Sequence, residues 1–468
     1  MTYIPILKMT TDNLSQMADE RMAEFLWAIA EESGMAFLRH VDWPLEKKID
    51  HDAIREKANA MTMLYMTAVF NGENDKAAYN EIAVTKKWEL QQESVPIPDL
   101  RAVPGLYQCD FIRVGFPGRE VGNPGRWYRM ALLRDARQRV DLAHHFVQGI
   151  GDLKSRVVSK SVLMSRKIQS LAQQRYIKNT EIVKKDAQGI ELIIPASDIY
   201  KTTEKRVAKL YVRIYGLEKF CTEKGLQGYF LTLTLPPSYH PNPSWGENSW
   251  DGSTPADGHK KLQHCWRAWQ RSFGKTMSIR VEEQHKDGCP HWHALVWIKP
   301  GEENKLIGGI QDAFGKPPAT EVVKIDLTKG SAATYVMKYV LKSTLGGEDA
   351  HASKLADAHR ATWGGRAVQI ADLLGSATIW DEIRRIRFGS DIWMELCNEA
   401  KALHSAAATN DYCEFLKILE AVNQPKKRCY VWYGDSSKGA ELVQGLSFDN
   451  VLIPTHSKGW KLRPKKRY

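Results

Sequence analysis

The sequence predicts an α+β fold: a central antiparallel sheet flanked by helical regions toward the N-terminus and the C-terminus. Two observations carry that prediction. At residue 228 the hydrophobic period changes from the three-and-four spacing of helices to the alternation of strands. Between 228 and 327 the segments then follow one another as strand, helix, strand, strand, helix, strand. That order is the split ferredoxin-like (RRM-like) unit, whose sheet is antiparallel.

Residues 11–92 read as helices, with apolar positions three and four apart in ADERMAEFLWAIAEESGMAFLRHV, and SVPIPDLRAVPG at 94–105 reads as a proline-marked linker. From about 125 to 220 the pattern is again helical and now basic, as in KSRVVSKSVLMSRKIQSLAQQRYIKN. GYFLTLTL alternates and stops at Pro236-Pro237, HKKLQHCWRAWQRSF (259–273) is helical, and TMSIRVEE (276–283) and HWHALVWI (291–298) form a hairpin through the turn-rich QHKDGCP. EENKLIGGIQDAF (302–314) is a helix and TEVVKIDL (320–327) a strand; a short helix, TYVMKYVLKS (334–343), follows. Residues 351–423 read as helical, and KGWKLRPKKRY as a disordered basic tail. The expected domains are 1–100, helical; 101–220, helical and basic; 221–345, the sheet domain; and 346–468, helical with the tail.

Composition narrows the function classes. The 468 residues are too many for one core, and 43% hydrophobic with 26% charged residues is a globular composition. No run of 18 apolar residues occurs, so no membrane partner is expected, and the N-terminus turns polar too early for a secretory signal. Seven cysteines without a C-x-x-C pair fit reduced thiols in a cytoplasm. Cys397, His404, Cys413 and Cys429 match no zinc-finger spacing. The first hundred residues hold 10 Lys and Arg against 17 Asp and Glu, whereas the remainder carries a net charge of +18. Basic charge concentrated beside 15 tryptophans and 17 tyrosines suits a nucleic-acid surface, which needs phosphate attraction and base stacking.

The chemistry concentrates in two places. His291 and His293 stand two apart on a strand, so both imidazoles face one side of the sheet. Glu283 lies on the strand that pairs with it through the hairpin; Glu282 points to the opposite face, so only one of the two can join the histidines. Two imidazoles and a carboxylate make a three-ligand metal site with open positions, and by ligand type zinc suits it as well as magnesium or manganese. The second place is the repeated Tyr-x-x-Lys of Tyr335, Lys338, Tyr339 and Lys342. Residues four apart share a helix face, and a packed helix would explain the repeat equally well.

His291-Trp292-His293 resembles the His-hydrophobic-His motif of the HUH endonucleases. FLTLTLP resembles the first motif of those proteins, and YVMKYVLK their catalytic motif in its two-tyrosine form. The chain is most similar to the bacteriophage replication gene A protein family. That likeness extends over KGSAATYVMKYVLKS and RATWGGRAVQIADLLGSATIWDEIRRIRF and covers roughly residues 125–425, with Thr334 where the family usually has glycine. It implies a rolling-circle replication initiator in the cytoplasm of a bacterial host. Mg2+ or Mn2+ would be held by His291, His293 and Glu283, and Tyr335 and Tyr339 would be alternating nucleophiles on single-stranded DNA at an origin. Lys338 and Lys342 would favour phenolate or bind phosphate. Phe273-Gly-Lys-Thr276 ends like a phosphate loop but has Trp269 where the first glycine should be, so unwinding is expected from a host helicase within the host replication machinery. The rival readings are a hydrolytic metallo-nuclease, a relaxase or transposase of another mobile element, and a DNA-binding protein without chemistry.

Overall fold

The structure is a computed structural model that describes residues 49–71, 123–146, 149–152, 155–186, 188–200, 202–326, 328, 330–344, 350–434, 442–456 and 459–465. The linker expected at 94–105 and most of the N-terminal stretch lie outside these residues. Of that stretch, α1 (His51–Asn71) is helical, as its periodicity predicts. It is followed by α2 (Pro124–Phe146) and α3 (Lys160–Lys178), the latter started by Ser159, whose hydroxyl accepts from the Val162 amide.

The basic region is not helical throughout. A hairpin, β1 (Thr180–Lys185) and β2 (Glu191–Pro195), turns at Gly189 (φ +82) before α4 (Thr203–Glu223) begins. TEIVKK and ELIIP are short enough to be absorbed into the flanking helical pattern, which is why periodicity missed them.

The expected core then appears in the expected order. β3 (Gln227–Leu233) leads to α5 (Pro255–Phe273), β4 (Met277–Gln284), β5 (Pro290–Ile298), α6 (Glu303–Phe314) and β6 (Thr320–Lys324). Thr254 and Asp257 form a reciprocal cap at the start of α5, with Pro255 in its first turn. Next come α7 (Ala332–Thr344) and α8 (Ala350–Trp363). β7 (Val368–Ala371), inside a stretch expected to be helical, adds an edge strand antiparallel to β4. The sheet order is β6-β3-β5-β4-β7, all antiparallel.

The sheet is covered on both faces, so β5 is buried along its whole length. On one face Tyr229, Leu231 and Leu233 of β3 and Trp292, Ala294 and Val296 of β5 pack with Trp266 and Trp269 of α5 and Leu306 and Ile310 of α6. On the other, Phe230, Ile279, Val281, Leu295 and Trp297 pack with Ile214 and Leu217 of α4 and Val336 and Val340 of α7.

That second core continues into α9 (Ser376–Ile383), α10 (Asn398–Ala408) and α11 (Tyr412–Val422). The remainder of the C-terminal region, expected to be helical with a tail, contains strands. β8 (Cys429–Gly434), β9 (Leu442–Phe448) and β10 (Val451–Pro454) make a separate antiparallel sheet. β11 (Lys461–Pro464), within the tail expected to be disordered, pairs with β1. The charges there are specific: Arg463 reaches Glu181 at 2.6 Å and Glu191 at 2.9 Å, so they hold a strand rather than solvate a tail. No helix among the described residues is long and apolar enough to cross a membrane.

Candidate active site

The β4–β5 hairpin sets the first part of the site. Its turn closes with the His285 amide donating to the Cys289 carbonyl at 2.8 Å, and Gly288 takes φ +87, a conformation suited to glycine. The resulting register places Glu283 opposite His291 and Val281 opposite His293. Glu282 falls opposite Trp292 on the other face, so Glu283 is the carboxylate that joins the histidines.

All three are buried, at 6%, 9% and 9% exposure for Glu283, His291 and His293. Glu283 Oε2 lies 3.7 Å from His291 Nε2 and 3.5 Å from His293 Nε2, and the two Nε2 atoms are 3.2 Å apart. Each residue thus offers one ligand atom, all within 4.8 Å of one another. Burial drives the His291 pKa well below its ordinary value, aided by the neighbouring imidazoles, so this ring is neutral and able to ligate. Burial opposes the Glu283 carboxylate, but the hydrogen bond from His293 and the charge of Lys342 outweigh it and hold its pKa below the ordinary value.

The second part is α7, aimed by a residue that no sequence signal marks. Glu218 of α4 accepts from the Ala332 amide at 2.6 Å, the Ala333 amide at 3.1 Å and the Ser331 hydroxyl. A carboxylate on unpaired amides at a helix N-terminus stabilises both the hydrogen bonds and the helix dipole. With Val336 and Val340 packed below, Tyr335 and Tyr339 project toward the histidines. The Tyr339 ring centroid is 3.9 Å from that of His293, and the Tyr339 hydroxyl donates to that of Tyr335 at 3.2 Å. Phe230 of β3, also missed from sequence, packs edge-on against Tyr335 at 4.7 Å and stacks on Tyr339 and on His293, both at 5.6 Å.

The two phenols differ. Tyr335 is 47% exposed, whereas burial, followed by the hydrogen bond to Tyr335, raises the pKa of Tyr339. The lysines differ as well. Lys342 Nζ lies 3.2 Å from Glu283 Oε2, whereas Lys338 is exposed and has no ion pair among the described residues. A cleft of about 620 Å³ opens beside the tyrosines, lined by Thr232, His293, Glu321, Lys324, Tyr335 and Tyr339 among others. The Cys397, His404, Cys413 and Cys429 set is not brought together. Cys397 is exposed, and His404 Nε2 is hydrogen-bonded to the Ile386 carbonyl.

Comparison with known proteins bears on the whole arrangement. The chain is 26% identical over 387 residues to a "Replication protein" of Haemophilus phage HP1, covering 72% of this chain and 48% of that one. It is 27% identical to the "Replication gene A protein" of Escherichia phage 186, covering 73% and 55%. A "Probable replication endonuclease from prophage-like region 1" of Salmonella typhi is 22% identical over 40% of this chain and 25% of its own length. The chain thus spans about half the length of the first two relatives. No solved structure matches. The model of the bacteriophage replication gene A protein family matches residues 123–345, which contain both the hairpin and the tyrosine helix, so this part of the chain is similar to that family.

Proposed function

We propose that the chain initiates rolling-circle DNA replication as a metal-dependent endonuclease, nicking single-stranded DNA at an origin through tyrosine and rejoining strands by the reverse reaction. The observation that carries this reading is the meeting of two phenols with a His-His-Glu donor set on one sheet face. The order β6-β3-β5-β4 supports it, since a split ferredoxin-like unit, the framework of the HUH nucleases, gives that arrangement.

The residues fit a divalent cation. Two Nε2 atoms and a carboxylate converge, and buried Glu283 Oε1 has no hydrogen-bond partner. Mg2+ or Mn2+ held by Glu283, His291 and His293 would polarise the scissile phosphate. The chain's own groups do the rest. The phenol oxygen of one tyrosine attacks phosphorus in line; its bond to phosphorus forms as the bond to the 3′ oxygen breaks. The departing oxygen keeps the electron pair and takes a proton, giving a 3′-hydroxyl and a 5′-phosphotyrosine. Lys342, one turn beyond Tyr339, holds positive charge beside the carboxylate and the incoming phosphate. Because one phosphodiester replaces another, the reverse step joins strands without ATP, and the second tyrosine allows a second cut while the first is occupied.

Binding of the DNA is assigned to the basic helices. α2, α3, α8 and the turn before β7 enclose a cavity of about 580 Å³ lined by Arg134, Arg137, Arg166, Arg360 and Arg366. In the host cytoplasm the strand would be supplied by a host helicase and extended by the host replication machinery.

The test is incubation with single-stranded origin DNA and Mg2+ or Mn2+, followed by denaturing electrophoresis. A protein–DNA adduct that survives denaturation and disappears in the Tyr335→Phe, Tyr339→Phe double variant is expected. Cleavage without an adduct would make water the nucleophile and the protein a hydrolytic metallo-nuclease.

A further inference from the structure

Directly behind the site, on the opposite face of β4, lies a second group of ligating side chains: His259 of α5, Glu282 of β4 and His359 of α8. They are 5%, 2% and 0% exposed, and their ligating atoms fall within 4.8 Å of one another. We propose that these three residues bind a structural metal ion, best suited to zinc, distinct from the site at Glu283, His291 and His293.

Three observations support the assignment. First, buried ring nitrogens are left without partners: both nitrogens of His259 and Nδ1 of His359. His259 Nδ1 does approach Glu282 Oε2 to 3.1 Å, but without the alignment of a hydrogen bond. Leaving such atoms dry and unpaired is costly, and a metal ion would take the lone pair of one nitrogen from each ring.

Second, the tautomer of His359 is fixed. Its Nε2 lies 2.9 Å from the Gly288 carbonyl, which can only accept, so in the neutral ring Nε2 carries the proton and Nδ1 presents a lone pair. An imidazole donating its far nitrogen to a carbonyl is the usual support of a metal-bound histidine.

Third, the carboxylate is held in place. The Glu282 amide donates to the Ala367 carbonyl at 3.0 Å, and Gln284 Nε2 donates to Glu282 Oε1 at 3.3 Å. Gly365 (φ +93) approaches so closely that a Cβ there would fall 2.3 Å from Glu282 Oε1. Two imidazoles and one carboxylate are zinc ligands, and their burial on three separate elements suits an ion that joins those elements, with water as the fourth ligand. The ion would pin the start of α5, the strand β4 and the helix that follows α7. A single buried water is the competing occupant, since it could bridge the same atoms.

The experiment uses the full chain purified from zinc-supplemented culture, with metal content measured by mass spectrometry after gel filtration. The His291→Ala, His293→Ala double variant, which lacks the first site, is expected to keep about one zinc per chain. Adding His359→Gln or His259→Gln to it should remove that zinc, while chelation should lower the melting temperature of the double variant. No zinc retained by the double variant, or zinc retained after both further substitutions, would overturn the proposal. Should the additional variants fail to fold, cobalt(II) added to the apo form of the double variant decides. Visible absorption of a tetrahedral nitrogen–oxygen site supports the assignment, and its absence rejects it. None of these readouts depends on DNA cleavage.

Discussion

At the scale of single residues, the two tyrosines and the two adjacent glutamates give the sharpest expectations. Phenylalanine preserves the packing of α7 on Phe230 and removes only the hydroxyl proposed to react. Tyr335→Phe and Tyr339→Phe should therefore each retain a single cut and fail in strand transfer beyond one round, as followed on an origin oligonucleotide. A single variant that behaves like the wild type through several rounds would make its tyrosine structural. His291→Ala should reduce cleavage by at least about 100-fold, since the proposed polarising cation would lose a ligand, while single-strand binding measured by fluorescence anisotropy stays near the wild-type value. Glu283→Ala should behave like His291→Ala. The position of Glu283 was legible in advance, because a strand has period two and a hairpin fixes which carboxylate faces which histidine. Glu218 was not. Nothing in YGLEKFC distinguishes a helix-capping carboxylate from a solvated one until α4 and α7 are packed together.

Among the elements, β4, β5 and the helices α5 and α6 were readable because each buried face imposes its own period over eight residues or more. Short strands escaped. TEIVKK, VQIA and KLRP are four to six residues long, and only their pairing with β2, β4 and β1 makes them strands. The contact of α4 with α11 shows how tightly these elements are matched. A Cβ on Gly216 would lie 2.6 Å from the Tyr412 Cβ and 2.9 Å from the Cys413 amide nitrogen, so backbone would have to move. Gly216→Ala should lower stability by about 1 to 3 kcal/mol in denaturant unfolding, although alanine is the better helix former. Beside this contact, Tyr412 and Arg213 both bond to Asp372, at 2.6 and 3.0 Å, joining α11 and α4 to the segment before α9.

For the whole molecule, charge and protonation are the quantities to measure. The arginine-lined cavity belongs to the part of the chain whose basic excess was visible in composition, but its depth depends on α2, α3 and α8 meeting. Arg366→Ala or Arg134→Ala should weaken DNA binding across sequences and reduce the slope of log affinity against log salt by about 1 each, without moving the nick. Removing β11 should have a different effect. Arg463 is already engaged by Glu181 and Glu191, so its loss should destabilise the β1–β2 sheet more than it changes the salt slope. Several histidines are held neutral. Burial, with the charge of His240 also acting on His285, pushes His145 and His285 down to about 4. A folded-state pKa below the unfolded value means that the unfolded chain binds more protons, so stability is full above about pH 6.5 and falls as the pH drops toward 4. Melting temperature should accordingly decline over that interval, and a flat profile would show these rings to be solvated.

One consequence remains in the way Glu218 grips α7. The helix is a rod clamped at its first residue, and its two phenols sit at different distances along it. Tyr335 is three residues from Ala332 and Tyr339 seven, about 4.5 and 10.5 Å along the axis. Any tilt about the clamp therefore sweeps the farther phenol through roughly twice the arc of the nearer one. The nearer hydroxyl moves less than half as far as the farther one, which is carried toward or away from His293. Loosening the clamp with Glu218→Gln should consequently change which tyrosine carries the DNA, measured as the ratio of the two phosphotyrosyl peptides, before it changes the total amount of adduct. On the proposed mechanism, the order of cutting would then depend on the clamp at the N-terminus of α7.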